Sequence, residues 1–170
     1  MSVTEGQLDK ALEAAFKNSP EFVSWFINQI GCSNSPAKYC WSRSDNPWGK
    51  FPAPLEDPAT GQEHIEYRES ETDVLVVFEL ANGERFGVHI ENKLASGKFE
   101  ELQPEQYSVR AAAWLNNPKY GSYSSYKIVL VAPKIFVTRN LARTEHFDSV
   151  ITHESIAIHL PLFRQSAPDA

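Results

Sequence analysis

Thr72-Asp-Val-Leu-Val-Val-Phe-Glu-Leu-Ala-Asn-Gly-Glu-Arg-Phe-Gly-Val-His-Ile-Glu-Asn-Lys93 decides how this 170-residue chain folds. Residues 73–80 are rich in β-branched and aromatic side chains, Ala81-Asn82-Gly83 is a turn signal, and alternation resumes at Glu84, so the stretch reads as two antiparallel strands. Loop length then sets which side chains share a face, because directly opposed residues of an antiparallel pair lie on the same side. A two-residue loop at Asn82-Gly83 would pair Asp73 with Asn92 and send Glu91 to the other face. A three-residue loop with Gly83 in the left-handed region pairs Leu80 with Glu84, and therefore Asp73 with Glu91. The three-residue loop is the expected one. It sets Lys93 on the face of Glu91 and turns Phe86, Val88 and Ile90 into a core.

Opposed at the open end of a hairpin, Asp73 and Glu91 repel, and one of them gains a proton unless a cation lies between them. Mg²⁺ suits such a gap, since it takes a few hard carboxylate oxygens and keeps room for water and substrate phosphate. There it would polarise a phosphoryl oxygen and acidify a bound water, while Lys93 holds that water or neutralises charge developing on phosphorus. The pattern points to metal-dependent hydrolysis of a phosphodiester. The plainer alternative is a pair of strand-end charges with Lys93 as a solvated partner, because surface ion pairs are common and weak.

The segments flanking the hairpin add a resemblance. Glu71-Thr72-Asp73, an apolar strand, a turn, His89-Ile-Glu-Asn-Lys-Leu94 and then Leu102-Gln-Pro-Glu-Gln-Tyr107 resemble the PD-(D/E)XK nuclease superfamily. More narrowly, they are similar to compact bacterial members with an Ile-Glu-Asn-Lys strand and a helix opening Gln-Pro-x-Gln. Thr72 stands where the family name has proline. The similarity is close over residues 69–110 and loose over 8–160, taking in Val131-Ala132-Pro133 and the run from Phe147 to Glu154. It implies a restriction-endonuclease-like α/β/α sandwich with a central mixed sheet. It also implies Asp73, Glu91 and Asn92 as ligands of Mg²⁺ or Mn²⁺, Lys93 as catalytic lysine, and Gln106 as the residue that orients the site or touches the DNA backbone. An acid on the first helix often completes such sites; Glu13 is the choice and Glu71 its rival. The implied activity is cleavage of DNA by an activated water, with RNA ranked second as substrate. A catalytically silent member that binds nucleic acid or a protein partner is the other reading, and a homodimer would let two sites cut both strands.

With 42% hydrophobic and 12% aromatic residues, the chain can bury one core, expected as a single domain over residues 1–164 with a disordered tail at 165–170. It has no run long enough to span a bilayer and no signal peptide, which points to the cytoplasm. Cys32 and Cys40 lack the company a zinc site needs and read as reduced thiols. The net charge of −6 argues against a nucleic-acid partner until its distribution is considered. Residues 1–91 carry 15 acidic and 7 basic side chains, whereas residues 93–143 carry 8 basic and 3 acidic ones. That basic half includes Lys93, Lys98 and Arg110, and with Gln106 the last two are the candidate contacts to nucleic acid; a scatter of solvated charges would look the same in sequence.

Leu8, Ala11, Leu12, Ala15 and Phe16 have helical spacing, with Thr4 as cap. Ser19-Pro20 opens a second helix that Gly31 ends, with Phe22, Trp25, Phe26 and Ile30 as its core stripe. From Cys32 to Gly61, proline, serine and glycine suggest a long irregular connection in which Trp41 or Trp48 either meets a base or pins the loop. A strand is expected over 64–68, a helix over 103–116 with Val109, Ala112 and Ala113 inward, and a buried strand over 126–132. The tyrosine-rich loop between them fits either base stacking or ordinary packing. A short helix over 139–146, a strand over 149–152 and a helix over 153–160 close the chain. His89, on the face of Glu91, is either an outer partner of the site or a packed strand residue.

Overall fold

The computed structural model describes residues 2–32 and 36–167. Helix α1 (Glu5–Asn18) starts in a capping box between Thr4 and Gln7, and α2 (Pro20–Gln29) starts at Ser19 with proline in its first turn. Gly31, at φ +76°, turns the chain out of α2. Strands β1 (Ala37–Arg43), β2 (Trp48–Glu56) and β3 (Glu63–Glu71) come next. After them lie the hairpin strands β4 (Val74–Leu80) and β5 (Arg85–Asn92), and helix α3 (Gln103–Ala113). The chain continues through β6 (Ser125–Ala132), α4 (Lys134–Arg139), α5 (Leu141–Thr144), β7 (Ser149–Thr152) and α6 (His153–Ile156).

Five strands form one mixed sheet in the order β1-β4-β5-β6-β7. β4 is antiparallel to both of its neighbours, β1 and β5, whereas β5, β6 and β7 run parallel, with α3 and then α4–α5 in the crossovers. Alternation sorts the side chains. Val74, Val76, Phe78, Val88, Ile90, Val129 and Val131 pack under α1 and α2, against Leu8, Leu12, Phe16, Phe22 and Phe26. Leu75 and Val77 on the opposite face meet Trp114 and Tyr123, while Ile128 and Leu130 meet Tyr107 and Phe136. The result is the expected α/β/α layering, with helices on both faces of a mixed sheet. Among the described residues, no helix is long and apolar enough to cross a membrane.

Val74 pairs with Ile90 and Glu79 with Arg85, the Leu80 amide donates to the Glu84 carbonyl at 2.8 Å, and Gly83 sits at φ +86°. This is the three-residue loop with its glycine in the left-handed region, and it carries Asp73 to the position facing Glu91.

The irregular connection expected from Cys32 to Gly61 is overturned. Apart from 33–35, which lie outside the described residues, most of it is strand. β1 is the edge of the main sheet, and β2 pairs with β3 in a separate two-stranded ribbon. Pro52 and Pro54 fall two apart, so their missing N–H groups share the free edge of the ribbon and leave the ladder intact. The strand expected over 64–68 is the longer β3, and its partner is β2, outside the main sheet.

Helix α3 is also turned relative to expectation. Tyr107, Arg110 and Ala111 are fully buried and Gln106 nearly so, whereas Ala112 and Ala113 face solvent. Side chains with buried polar partners displaced the small apolar ones from the inner face. Near the C-terminus, α6 has only four residues and leads into a 3₁₀ turn at Pro161–Gln165. The expected disorder from Gln165 gives way to packing at least through Ser166, which is buried with its hydroxyl 2.6 Å from His153 Nδ1 and 2.9 Å from the Phe163 carbonyl. Residues 168–170 lie outside those described. Cys32 and Cys40 are both free thiols.

Candidate active site

The open end of the β4–β5 hairpin lies at the C-terminal end of β5, beside the start of α1 and the first turns of α3. Pockets of open α/β sheets form beyond these strand ends. Asp73 is half-buried, and its Oδ2 accepts from the Asn92 amide at 2.8 Å. Glu91 is 2% exposed, and both its oxygens are held. Oε1 accepts from Lys93 Nζ at 3.2 Å and from Gln103 Nε2 at 3.1 Å, and Oε2 accepts from the Tyr107 hydroxyl. Lys93 has spent its three protons. Besides Glu91, its ammonium donates to the Lys98 carbonyl at 2.8 Å and to Gln103 Oε1 at 3.1 Å.

The electrostatics reflect that crowding. Burial first, and Glu91 next, raise the Asp73 carboxyl well above the ordinary range. Burial pushes Glu91 up to about 7 against the opposing pull of Lys93 and Tyr107. On α1, Asp9 is 4% exposed and is also pushed up to about 7, by burial and then by Asp73. Glu5, one helical turn earlier, adds to the repulsion on Asp9, Asp73 and Glu91, and its Oε1 accepts from the Leu94 amide at 3.4 Å.

The structure brings Asp73, Glu91 and Lys93 together as the register required. Glu13 is elsewhere: its oxygens accept from Ser42 Oγ at 2.6 Å and Ser44 Oγ at 2.9 Å on and just after β1. The acids of the first helix that face the site are Asp9 and Glu5. The rival, Glu71, is exposed at the end of β3 opposite Trp48. The Asn92 side chain alternates to the α1 face, where Nδ2 donates to Asp9 Oδ1 at 2.9 Å and Oδ1 accepts from His153 Nε2 at 2.8 Å. Only the main chain of Asn92 addresses Asp73. Since N–H and C=O of one strand residue share an edge, its carbonyl turns the same way. Burial depresses His153 to about 4, so it holds Asn92 as a neutral ring.

Gln106 Nε2 donates to the Pro52 carbonyl at 3.2 Å, which directs this side chain to the ribbon, away from the carboxylates. Lys98 offers its carbonyl to Lys93 and leaves its own side chain exposed. Arg110 is fully buried: Nε donates to Thr72 Oγ1 at 2.7 Å, Nη1 to Ser70 Oγ at 2.6 Å, and the guanidinium stacks on Tyr107 at 4.2 Å. Thr72 then passes a polar chain inward. Arginine only donates and a carbonyl only accepts, so the sense is fixed. The Thr72 hydroxyl donates to His89 Nδ1 at 2.9 Å, His89 Nε2–H to Tyr123 at 3.0 Å, and Tyr123 to the Ala111 carbonyl at 2.6 Å. Burial and the neighbouring Arg110 depress His89 well below its ordinary value, in keeping with the neutral ring this chain requires.

Gln103 and Tyr107 belong to this cluster, and the motif alone does not single them out. Four apart on one helix, they share a face, and both close on Glu91. Leu102, at φ +60° just before α3, aims Gln103 inward at the cost of a left-handed backbone for a residue with a side chain.

The chain matches no family model, no curated protein and no solved structure. What the site can do therefore rests on its own geometry. Among the described residues, no three His, Cys, Asp or Glu side chains are grouped closely enough to cage a metal. The donors on hand are the Asp73 and Glu91 carboxylates and the Asn92 carbonyl. Such a set fits Mg²⁺ or Mn²⁺, which take one or two carboxylates and fill out their shell with water and phosphate. It does not suit a structural zinc.

Proposed function

We propose that the chain is a divalent-metal-dependent nuclease that hydrolyses DNA phosphodiester bonds. The observation that carries this reading is the opposition of Asp73 and Glu91 at the hairpin's open end, with the Lys93 ammonium 3.2 Å from Glu91. Burial comes first in raising both proton affinities, and for Asp73 the Glu91 charge adds to it; a cation between them would offset those costs. Bound there, Mg²⁺ or Mn²⁺ would supply Lewis-acid polarisation of the phosphate and a water of lowered pKa. Asp73 and Glu91 hold that ion from facing strands. Gln103 and Tyr107 keep the Glu91 carboxylate from rotating away. Lys93 supplies positive charge next to the developing negative charge on phosphate, exchanging its contact with the Lys98 carbonyl for one to the substrate.

A second reading has its own support. Glu91 already accepts from three side chains and Lys93 already donates three hydrogen bonds, so a catalytically silent module that binds nucleic acid or a protein partner would also be internally satisfied. Cleavage separates the two. End-labelled single- and double-stranded DNA, and the same sequences as RNA, are incubated with Mg²⁺, Mn²⁺ or EDTA. The nuclease reading expects DNA cutting only with metal and its loss in Asp73→Asn. No cutting of any strand under any metal condition leaves the silent module.

A further inference from the structure

The β2–β3 ribbon and α3 enclose a cavity of about 470 Å³ that the proposed chemistry does not use. Gln106, Tyr107 and Arg110 form its buried floor, and Trp48, 60% exposed, stands at its mouth. Two polar atoms of these floor residues, Gln106 Oε1 and Arg110 Nη2, are fully covered and have no hydrogen-bond partner among the described residues, so a ligand reaches them only as the side chains over them shift. Neither orientation is free to change. Pro52 offers a carbonyl, so the Gln106 NH₂ must face it and Oε1 is left over, while Thr72 and Ser70 hold the other two nitrogens of Arg110. Leaving such groups unpaired in a low dielectric is costly, and a ligand that pairs both recovers that cost.

The vacant pair is one donor and one acceptor. Phosphate offers acceptors alone and would set oxygen against Gln106 Oε1; around the cavity Glu69, Glu71, Glu100 and Glu101 outnumber Arg68, which already meets Glu101 at 3.5 Å, and repel it further. Every nucleobase, in contrast, carries a donor beside an acceptor on its pairing edge, and its flat face stacks on tryptophan. The volume lies within the range of small-ligand pockets. The cavity also adjoins the carboxylates, since Gln103 and Tyr107 line it and both bond Glu91.

We infer that this cavity receives one unpaired nucleobase from the strand whose phosphodiester lies at Asp73 and Glu91, an inference that rests on the nuclease reading for where the strand runs. Trp48 stacks on the base, and Arg110 Nη2 and Gln106 Oε1 take its pairing edge. A base in a duplex cannot present that edge, so the preferred substrate is single-stranded or carries an everted nucleotide.

The test measures binding in EDTA by fluorescence anisotropy, using a labelled 12-nucleotide DNA strand, its duplex, and versions with an abasic site moved along the strand. The single strand should bind more tightly than the duplex. Trp48→Ala and Gln106→Met should each weaken single-strand binding about tenfold or more, as loss of a stacked base does, with duplex binding unchanged. An abasic site at one position should cost wild type the same factor and cost Trp48→Ala nothing further. Trp48 is exposed, so its variant keeps the fold and decides the matter even if Gln106→Met does not. Cleavage is read in parallel with Mg²⁺. Cutting that ignores Trp48 and the abasic scan overturns the base pocket and leaves the nuclease reading standing. Base-dependent binding with no cutting overturns the nuclease reading and supports the pocket alone. Neither binding nor cutting overturns both.

Discussion

Asp9→Asn makes the crowding of acids measurable without any substrate. Asp9 is 4% exposed, and its carboxyl is pushed up to about 7, first by burial and then by Asp73; in the unfolded chain it ionises near its ordinary value of roughly 4. Between those pH values the folded chain keeps a proton that the unfolded chain has released. The stability linked to that proton is therefore full at low pH and is lost as pH rises towards 7. A separation of roughly three pH units corresponds to about 4 kcal/mol, of which roughly 2 to 3 kcal/mol falls between pH 5 and pH 7.5. Asparagine keeps an acceptor for Asn92 Nδ2 and does not ionise. His153 and His89, depressed by burial, lose stability in the opposite direction as pH falls below about 6.5, but they do so in both proteins and cancel in the difference. Urea unfolding at 25 °C in EDTA, monitored by circular dichroism, should show the variant gaining on wild type by about 2 kcal/mol from pH 5 to pH 7.5. Parallel curves for the two proteins would refute the reasoning.

Tyr107→Phe removes the hydroxyl that holds Glu91 Oε2; stability should fall by about 1 to 2 kcal/mol, and the acid limb of the rate–pH profile should move to higher pH, because that hydrogen bond lowers the proton affinity of Glu91. Lys93→Met should slow single-turnover cleavage by roughly a hundredfold or more, and a lowered unfolding midpoint should accompany it, since Glu91 loses its cation. Gly83→Ala meets nothing within 4 Å but forces a side chain to φ +86°; its cost, read from chemical unfolding, should be about 1 kcal/mol. Because the pairs that carry Asp73 to Glu91 are otherwise intact, that variant should still cut DNA.

Gly83 shows why the hairpin was legible in the sequence. One left-handed residue fixes a three-residue loop, and alternation carries the consequence seven residues to Asp73 and Glu91. The same alternation assigns the Asn92 side chain to the opposite face, which leaves only its main chain to act as the expected ligand. Glu5, Asp9 and Glu13 succeed one another at four-residue steps on a single face of α1. Which of them meets the site depends on how far α1 slides over the sheet as Leu8, Leu12 and Phe16 pack, and no local pattern carries that height. Gln103 and Tyr107 were hidden differently. Polar and aromatic residues on the inner face of α3 look like outward ones until the buried Glu91 and Thr72 supply their partners. The strands β1 and β2 were obscured by Pro52, Pro54 and the nearby serines, which signal a loop in a central strand but are tolerated at the edge of a ribbon.

Calorimetric titration of Mn²⁺ into the full chain at pH 7.5 tests the shared ion most directly. One Mn²⁺ should bind per chain, with proton release from the acids whose affinities the site raises, and Asp73→Asn or Glu91→Gln should each weaken it at least about tenfold. Wild type that binds no Mn²⁺, or binds it as well after both substitutions, contradicts the claim that Asp73 and Glu91 hold a metal between them.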